Sequence, residues 1–591
     1  MSGLILGTVS CAPDPSGGGS KPPEAPSVIV PTYKDYGRDT KDFKDIVYSR
    51  PDIEAVVAAF KAVTEEISRG SKSAQQLLEQ IRSLEDVYVN LRSMYCFLEV
   101  QTSIDASVEF FAEEYKYISQ SYPTFVKAVE DMFVAAAKSP HKKYFEDNYF
   151  HSSLDEYLDG GIYTDEVVAL MAKEAELEGS YSLLSTATVE ITYKDKTGTV
   201  DELLASVAKI YGEDSTEYLG ARTTCIQLYK QKLNQLSKPI YVDLIKVRRQ
   251  IADELGYSSY ATLAYKDMGH EYDPEEMMEF LSDIKKYVYP VYMMTYYEVF
   301  GNFFNESTVS ELDRVTLINT LYSVYEAMDG DIHGVYSYML QHGLYNIEAE
   351  NANRMQGAFT TYIDSNNSPF IFMSTGGYST DYLTLAHEFG HFTDNYLNFG
   401  SSASLDLAEV SSQGLEYLTL LALKDKLKNT EYRYLEYNQL AIAMETLLNQ
   451  GIIAAAEHYI YSLALEDINE ENLNAAVAYA WDTVVGGQTT LTYGDLIMVH
   501  TVEYPFYVQS YCSSLTATFE IFFAEAEKKG EGLKIYKELI DRGEEEKGYE
   551  EILSDAGLSS PFEEDLLKLL ADKIYCYVTG DHYFKEYENA A

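Results

Sequence analysis

Apolar residues recur at helical spacing over most of the chain after Pro51. Between residues 53 and 67 they fall three or four positions apart, on one face of a helix: Ile53, Val56, Val57, Phe60, Val63 and Ile67. The same spacing predicts helices from about Ala74 to Thr102 and from Ser107 to Lys138, with Pro140 as a stop. The pattern therefore predicts a mainly helical protein.

The spacing changes near residue 190. The stretch VEITYKDKTGTV alternates apolar and polar residues and contains Gly198, which is typical of a short hairpin at a boundary. We therefore predict a domain junction near residue 200. The predicted division is a leader and Pro/Gly/Ser linker at 1–35, expected to be disordered, an N-terminal helical domain at 36–200 and a second domain at 201–591.

A further break in the helical pattern lies at PFIFM, a short apolar run that begins at Pro369 and is followed by Gly376 and Gly377. Its length and flanking residues favour a strand over a helix. If an edge of this strand is exposed, it can pair with an extended peptide through backbone hydrogen bonds. A strand that is buried on both faces is an equally good interpretation of the same run.

Charge and cysteine usage narrow the range of functions. The chain has 94 acidic and 45 basic residues, so its field repels nucleic acid and anionic membranes, and we expect no nucleic-acid partner. Its 46% apolar content is that of a globular protein, so the acidity is best explained by a solvated surface. The five cysteines lie far apart without a CxxC pair, which argues against a zinc ribbon or a disulfide scaffold. Any metal must therefore be held by histidine and carboxylate groups.

The first residues, MSGLILGTVSCAPDPSGGGSKPPEAPS, place a short apolar stretch before Cys11 and a Pro/Gly/Ser linker after it. That order is similar to the end of a bacterial lipoprotein signal peptide. It predicts a membrane tether through lipidated Cys11, at the bacterial cell surface or outside the cell. An artificial or mis-assigned start is an equally good interpretation, with a cytoplasmic location as its consequence. No run of 18 apolar residues occurs, so we expect no transmembrane helix.

The stretch HEFGH, at residues 387–391, carries the candidate chemistry. On a helix, His387 and His391 project from one face and can present imidazole nitrogens to one ion. Such ligands suit a single Zn²⁺ per chain. Glu388 is placed about 100° round the helix, where it can take a proton from a water on that ion without competing as a ligand. A pair of core histidines without a metal is the alternative.

A third ligand is expected on the following helix. The stretch DLAEVSSQGLEY supplies Glu409, which would complete a His₂Glu site, and Glu416 on the same helical face. Asp406 and Glu416 are candidates for hydrogen bonds that orient the imidazoles. A surface charge is the usual role of a glutamate in an acidic protein, but the position of Glu409 relative to HEFGH favours a ligand.

A downstream stretch, LTYGDLIMVHTVEYPFYVQSY, is rich in hydroxyl and imidazole groups. A metal-bound water activated by a glutamate is typical of peptide hydrolysis. That reaction creates an oxyanion at the tetrahedral centre, and a tyrosine hydroxyl or an imidazole N–H can donate to it. The candidates are His500, Tyr504, Tyr507 and Tyr511. Because the chain has 53 tyrosines, packing is the alternative role for each tyrosine. Candidate substrate-binding residues lie before HEFGH, at Gly357, Phe372, Gly376 and Gly377.

Three stretches in the same order, LTLAHEFGH, AEVSSQGLE and HTVEYPFYVQSY, resemble the oligoendopeptidase F and thimet oligopeptidase family of zinc metallopeptidases, closest to the oligoendopeptidase F branch. The stretch GAFTTYIDSNNSPFIFM resembles the family's region before the HExxH helix, and YEEILSDAGLSSPFEEDLLKLL resembles its C-terminal helices. The resemblance covers most of the chain from about residue 110. It implies a mainly helical, bilobed zincin-type fold, with a small β-sheet beside the HExxH helix and a deep substrate channel.

The resemblance also implies roles for individual residues. It implies that the zinc ligands are His387, His391 and Glu409 and that the general base is Glu388. The substrate or transition-state contacts that it implies are His500, Tyr504, Tyr507 and Tyr511. The spacing from His500 to Tyr504 leaves open which hydroxyl reaches the oxyanion. Members usually continue HExGHxxH, whereas this chain has Asp394 in place of the last histidine, and an aspartate there can still hydrogen-bond a ligand.

Together these features predict a monomeric zinc oligoendopeptidase that hydrolyses internal bonds of short, unfolded peptides. A helical HExxH carboxypeptidase is the alternative within enzymes, and it would need a dedicated cation for the terminal carboxylate. A surface peptide-binding protein without turnover is the alternative outside enzymes. The presence of Glu388 argues against that alternative, because a binding protein needs no general base.

Overall fold

The computed structural model describes residues 28, 38, 40–186, 189–212, 215–301, 303, 310–351, 353–400, 404–542 and 547–587. Helices dominate these ranges, which confirms the mainly helical class. The predicted leader, with Cys11, lies outside the described residues apart from Val28. Within the described ranges, no helix combines the length and apolar character that crossing a bilayer requires.

The N-terminal helices pack around a core of their own, made of apolar residues between 53 and 154. These helices are α1 (Ile53–Arg69), α2 (Ala74–Arg82), α3 (Glu85–Ile104), α4 (Glu109–Lys138) and α5 (Lys142–Phe145). The predicted apolar stripe of α1 is buried throughout. The helix begins where Asp52 accepts the N–H of Ala55 and ends at Gly70, whose φ of 61° is left-handed.

One predicted helix, from Ala74 to Thr102, is two helices in the structure. The chain turns at Leu84, whose N–H donates to the carbonyl of Ile81 at 3.0 Å, a tighter bond than a helix interior makes. Leu84 is buried, so its packing stabilises the bend. The apolar periodicity continues across the bend, and for that reason the sequence pattern does not show it.

The predicted hairpin near residue 190 is present. Strands β1 (Ile191–Tyr193) and β2 (Lys196–Gly198) pair in antiparallel fashion, with Ile191 opposite Gly198. The hairpin is flanked by α6 (Asp165–Thr186), α7 (Val200–Tyr211) and α8 (Thr216–Glu254). The division into domains at residue 200 stays a prediction, and α8 itself carries residues of both a small local core and the main core.

The remaining helices surround the main core. Those before the second sheet are α9 (Tyr260–Met268), α10 (Pro274–Asp283), α11 (Tyr289–Thr295), α12 (Arg314–Met328) and α13 (Gly330–Gln341). Those after it are α14 (Asp381–Leu397), α15 (Leu405–Leu423), α16 (Asn429–Ser462), α17 (Glu470–Val484), α18 (Val499–Glu503), α19 (Val508–Glu527), α20 (Glu531–Ile540), α21 (Tyr549–Asp555) and α22 (Leu566–Thr579). Short π turns occur at Glu146–Phe150, Ile284–Val288 and Tyr296–Phe300.

The second sheet has three strands, β3 (Tyr345–Ala349), β4 (Ala358–Ile363) and β5 (Ser368–Thr375), in the order β3-β5-β4. PFIFM lies in β5, which confirms the predicted strand. The exposed-edge interpretation of that run is wrong, because β5 pairs with β3 on one side and with β4 on the other and every residue of it is buried. The outer strand next to the HEFGH helix α14 is β4 instead.

Candidate active site

The structure brings His387, His391 and Glu409 together, with one ligand atom from each lying within 4.8 Å of the others. The His387 Nε2 atom is 3.5 Å from Glu409 Oε2, and the His391 Nε2 atom is 3.7 Å from Glu409 Oε1. The Glu409 side chain is fully buried, whereas the two histidines are 21% and 15% exposed. Two imidazole nitrogens and one carboxylate, partly open to solvent, are a donor set that fits Zn²⁺ with an open position.

A close crossing of α14 over α15 makes this convergence geometrically possible. A Cβ atom on Gly390 would lie 2.5 Å from Ser412 Cα and 2.6 Å from the Ser411 carbonyl oxygen. Any side chain at this position would therefore push against the backbone of α15. The glycine of HEFGH thus sets the distance between the helix with the histidines and the helix with Glu409.

Glu388 lies beside the three candidate ligands and is 6% exposed. The Thr360 hydroxyl, on β4, donates to Glu388 Oε2 at 2.8 Å. Burial raises the pKa of Glu388 to about 7, against the smaller opposing effects of His387 and Thr360. A carboxylate with its pKa near neutrality is suited to accept and return a proton.

Glu416 orients His387 from the side away from Glu409. Its Oε2 atom lies 3.1 Å from His387 Nδ1, and its Oε1 atom accepts a hydrogen bond of 2.6 Å from the side-chain amide of Gln439. A carboxylate accepts the proton of Nδ1, so Nε2 is the nitrogen that would bind a metal, after losing its own proton. Burial lowers the pKa of His387, but the hydrogen bond to Glu416 and the neighbouring carboxylates raise it to about 9.

The tyrosine-rich segment lies against the same site. The Tyr507 hydroxyl donates to Glu409 Oε1 at 2.5 Å, and Ser412 donates to Glu409 Oε2 at 3.1 Å. His500 Nε2 and the Tyr511 hydroxyl are 3.2 Å apart. The Tyr504 ring lies 6.2 Å from that of Tyr507 and is 47% exposed, so all four predicted candidates are neighbours. Burial lowers the pKa of His500 to about 4, which keeps its imidazole neutral near pH 7.

Two of the predicted orienting residues contact other groups. Asp406 accepts hydrogen bonds from the Tyr272 hydroxyl at 3.0 Å and from Ser513, and its Oδ2 atom lies 2.7 Å from His270 Nδ1. It is one turn before Glu409 and points to α19 and the α9–α10 connection. The described hydrogen bonds of Asp406 therefore do not reach the imidazoles, which corrects the sequence prediction.

Asp394 is likewise directed away from the candidate ligands. Its carboxylate pairs with Arg542 and accepts a hydrogen bond of 3.0 Å from Asn398. Asp394 lies about one turn beyond His391 on the same face of α14, where its partners are Asn398 and Arg542, a residue that follows α20. The predicted hydrogen bond from Asp394 to a metal ligand is thus absent from the contacts of the described residues.

The four predicted substrate-binding residues have mainly structural contacts in the described residues. The N–H groups of Gly376 and Gly377 donate to the Asp381 carboxylate at 3.2 and 2.9 Å, which fixes the turn before α14. Phe372 is fully buried, with its ring 5.2 Å from that of Phe359. Gly357 has a φ of 98° and its carbonyl accepts from Ser374. A buried phenylalanine side chain is not available to a substrate, so Phe372 is a core residue.

Sequence reasoning missed three residues that shape the site. Thr360 and Gln439 reach it from β4 and α16, and nothing in their local sequence indicates this role. Gly390 had a usable signal, because a glycine in the middle of a helix usually has a packing reason.

Comparisons with known proteins found similarity to peptidases. Residues 43–156 match the Peptidase M3 N-terminal domain family. An oligoendopeptidase F homolog from Borreliella burgdorferi is 22% identical over 371 residues, which cover 59% of this chain and 57% of that relative. The chain is thus similar to the M3 peptidases over its N-terminal helices and to an oligoendopeptidase F homolog over a longer stretch. The aligned region spans little more than half the length of that curated relative.

Solved structures share the fold. A candidate oligoendopeptidase F from Bacillus anthracis str. Ames has a TM-score of 0.75 at 20% identity, covering 92% of this chain and 99% of that one. PZ peptidase A, solved with an inhibitor, has a TM-score of 0.76 at 20% identity, covering 91% of this chain and 99% of that one. The oligoendopeptidase F fold therefore extends over nearly the whole chain, including the helices after α15.

Proposed function

We propose that this protein is a zinc-dependent oligoendopeptidase that hydrolyses internal bonds of short, unfolded peptides. The observation that carries the proposal is the convergence of His387, His391 and Glu409 beside the buried carboxylate of Glu388. The similarity to M3 peptidases and to an oligoendopeptidase F homolog supports peptidase chemistry, and the donor set supports the metal. The metal would be held by the three ligand side chains, and when bound it would polarise the substrate carbonyl and acidify water.

Glu388 is the residue placed to move protons. Thr360 donates to its Oε2 atom, which leaves Oε1 to accept a proton from the attacking water and pass it to the leaving amine. Glu416 holds the proton on His387 Nδ1, so that the imidazole keeps its lone pair on Nε2. His500 and the hydroxyls of Tyr504 and Tyr511 would supply donors for the oxyanion. Tyr507, whose hydroxyl donates to Glu409, would contribute only after leaving that hydrogen bond.

Strand β4 offers a place for the peptide backbone. It is the outer strand of its sheet, so one side of its backbone is unpaired within that sheet. Because Thr360 of β4 bonds Glu388, a peptide that lies along β4 would pass the base. Backbone pairing of this kind fixes the direction of an extended peptide without reading its side chains.

Several further expectations belong to the same proposal and rest on sequence alone. They are a monomeric state, a deep channel that limits substrate length, and a tether through lipidated Cys11 at the bacterial cell surface. A cytoplasmic location is the alternative to the tether. The net charge of −49 favours peptides that are neutral or cationic over acidic ones.

A carboxypeptidase is the second candidate within the same chemistry. The test is cleavage of one peptide of about eight residues in two forms, one with both ends blocked and one with both ends free. Mass spectrometry identifies the products. The proposal predicts the same internal cut in both forms. Removal of single residues from the free C-terminus, with no cut in the blocked form, would favour the carboxypeptidase. No cleavage of a diverse peptide set by folded, metal-loaded protein would favour a peptide-binding protein.

A further inference from the structure

The segment from Val499 to Tyr507 carries three of the candidate substrate contacts in an unusual backbone conformation. It consists of the short helix α18 and a turn that ends at Phe506, whose φ is 70°. A bulky residue rarely adopts a positive φ, and such a conformation persists only where its surroundings determine it. The contacts that hold it come from α6, α8 and α16.

Arg248, on α8, is the centre of these contacts and its side chain is 1% exposed. Its Nη1 atom donates to the Thr501 carbonyl at 3.4 Å, and its Nη2 atom donates to the Val502 carbonyl. Nη1 also donates to the Tyr461 hydroxyl at 3.0 Å. Arg248 therefore binds two of the three carbonyl groups that lie between His500 and Tyr504 in the chain.

The other side of the same guanidinium binds α6. Arg248 Nε donates to Glu174 at 2.6 Å, and Nη2 donates to Glu178 at 2.8 Å. The Ser182 hydroxyl, also on α6, donates to Glu503 at 2.7 Å. Two independent ties thus connect α6, which lies before the predicted domain junction, to α18.

Phe506 is held by a separate set of buried groups on α16. Its N–H donates to Glu457 Oε2 at 3.0 Å. Its ring is fully buried, 5.2 Å from His458 and 5.4 Å from Tyr461. Tyr461 contacts both Arg248 and Phe506, so the two sets of contacts share one residue.

We propose that Arg248 is a positioning residue, which holds the backbone between His500 and Tyr504 in place and makes that placement depend on α6. This inference rests on the proposed function for its catalytic consequence. Only a planar guanidinium supplies donors toward two carbonyls, a hydroxyl and two carboxylates at once. A lysine at this position keeps the charge but loses the planar set of five N–H donors.

The test compares Arg248→Lys and Arg248→Met with a matched control, Arg249→Met. Arg249 is the next residue of α8, and its hydrogen bonds go to Ser258 and Asp253. Hydrogen exchange is followed in peptides that cover residues 499–507 and, as a reference, residues 385–392. Metal content, unfolding temperature and kcat/KM for the blocked peptide are measured on the same samples.

We expect exchange in 499–507 to rise by about tenfold or more in both Arg248 variants, with exchange in 385–392 and metal content unchanged. We expect kcat/KM to fall on the order of 10- to 100-fold, because small displacements of contact groups have effects of this size. A purely structural role would instead raise exchange in both peptides. If Arg248→Met does not fold, Arg248→Lys carries the test, since it keeps the buried charge.

Exchange in 499–507 or kcat/KM at the level of Arg249→Met in the folded Arg248 variants would overturn the inference. If the wild-type protein cleaves no peptide, the proposed function fails. The exchange data then decide independently whether Arg248 holds the segment.

Discussion

The helix pair α14–α15 and the segment 499–511 reach the same site by different means. The candidate metal ligands come from two consecutive helices, whose close approach depends on one glycine, Gly390. The candidate substrate contacts come from a strained segment that is held by Arg248, about 250 residues earlier in the chain, and by Glu457. The first arrangement is local in sequence, whereas the second depends on contacts between distant parts of the chain.

This difference indicates that metal binding and turnover depend on different parts of the molecule. All three candidate metal ligands lie on two helices whose spacing Gly390 sets. A segment tied to α6, α8 and α16 moves when any of these helices moves. We therefore expect substitutions in α14 and α15 to affect metal binding. Substitutions of the α6, α8 and α16 residues that contact the segment should instead affect turnover, with the metal retained.

The largest expected effect concerns Asp406, which connects α15 to α19 and to the α9–α10 connection through Ser513, His270 and Tyr272. Asp406→Asn removes a buried charge that accepts hydrogen bonds from several donors, so we expect a loss of about 3–5 kcal/mol in the free energy of unfolding. Chemical denaturation measures it. Asp253→Asn is the control, because this exposed partner of Arg249 should change stability by about 1 kcal/mol or less. A tenfold loss of metal affinity at unchanged stability would show that Asp406 orients the ligands after all.

The second effect tests the close crossing of the helix pair. Gly390→Ala places a Cβ against the α15 backbone, and overpacking of this kind costs about 1–3 kcal/mol. Metal affinity should fall as well, because Glu409 is displaced from the histidines. Gly220→Ala in α8 meets nothing within 4 Å and should be neutral or stabilising. Equal unfolding free energies for the two variants would argue against a tight crossing.

The third effect tests the orientation of His387. Glu416→Gln replaces the carboxylate beside Nδ1, so the imidazole proton is no longer held there, and we expect a 10- to 100-fold loss in metal affinity or activity. Competition with a chelator gives the affinity. Glu436→Gln is the control, because Glu436 is buried but binds tyrosines. Unchanged affinity in Glu416→Gln would mean that Gln439 or another group orients His387.

The smallest effect concerns the contact between β4 and the base. Thr360→Val removes one hydroxyl, which Glu388 Oε2 and the Glu388 backbone carbonyl share at 2.8 and 2.9 Å. We expect kcat to fall by about three- to tenfold while the metal stays bound. Thr361→Val is the control, since adjacent strand residues face opposite sides and Thr361 contacts Glu99 instead. Equal rates for both variants would show that Thr360 does not position Glu388.

The features that could be predicted from the sequence are those with a local signal. The apolar stripe gave α1, the alternating stretch gave the β1–β2 hairpin, and the HEFGH spacing placed His387 and His391 on one face. The bend at Leu84 and the central place of β5 could not be predicted, because both depend on packing partners distant in sequence. Asp406 was misassigned for the same reason. Its spacing from Glu409 is suggestive, but its direction is set by His270 and Ser513.

The central claim is that Glu388 acts as the base beside a metal held by His387, His391 and Glu409. The most direct measurement compares hydrolysis of a quenched, end-blocked peptide by the wild type and by Glu388→Gln, at equal metal content. The account predicts cleavage by the wild type and a fall of at least ~10² in rate for the variant, which keeps the metal. A variant that retains both its metal and its wild-type rate would contradict the account.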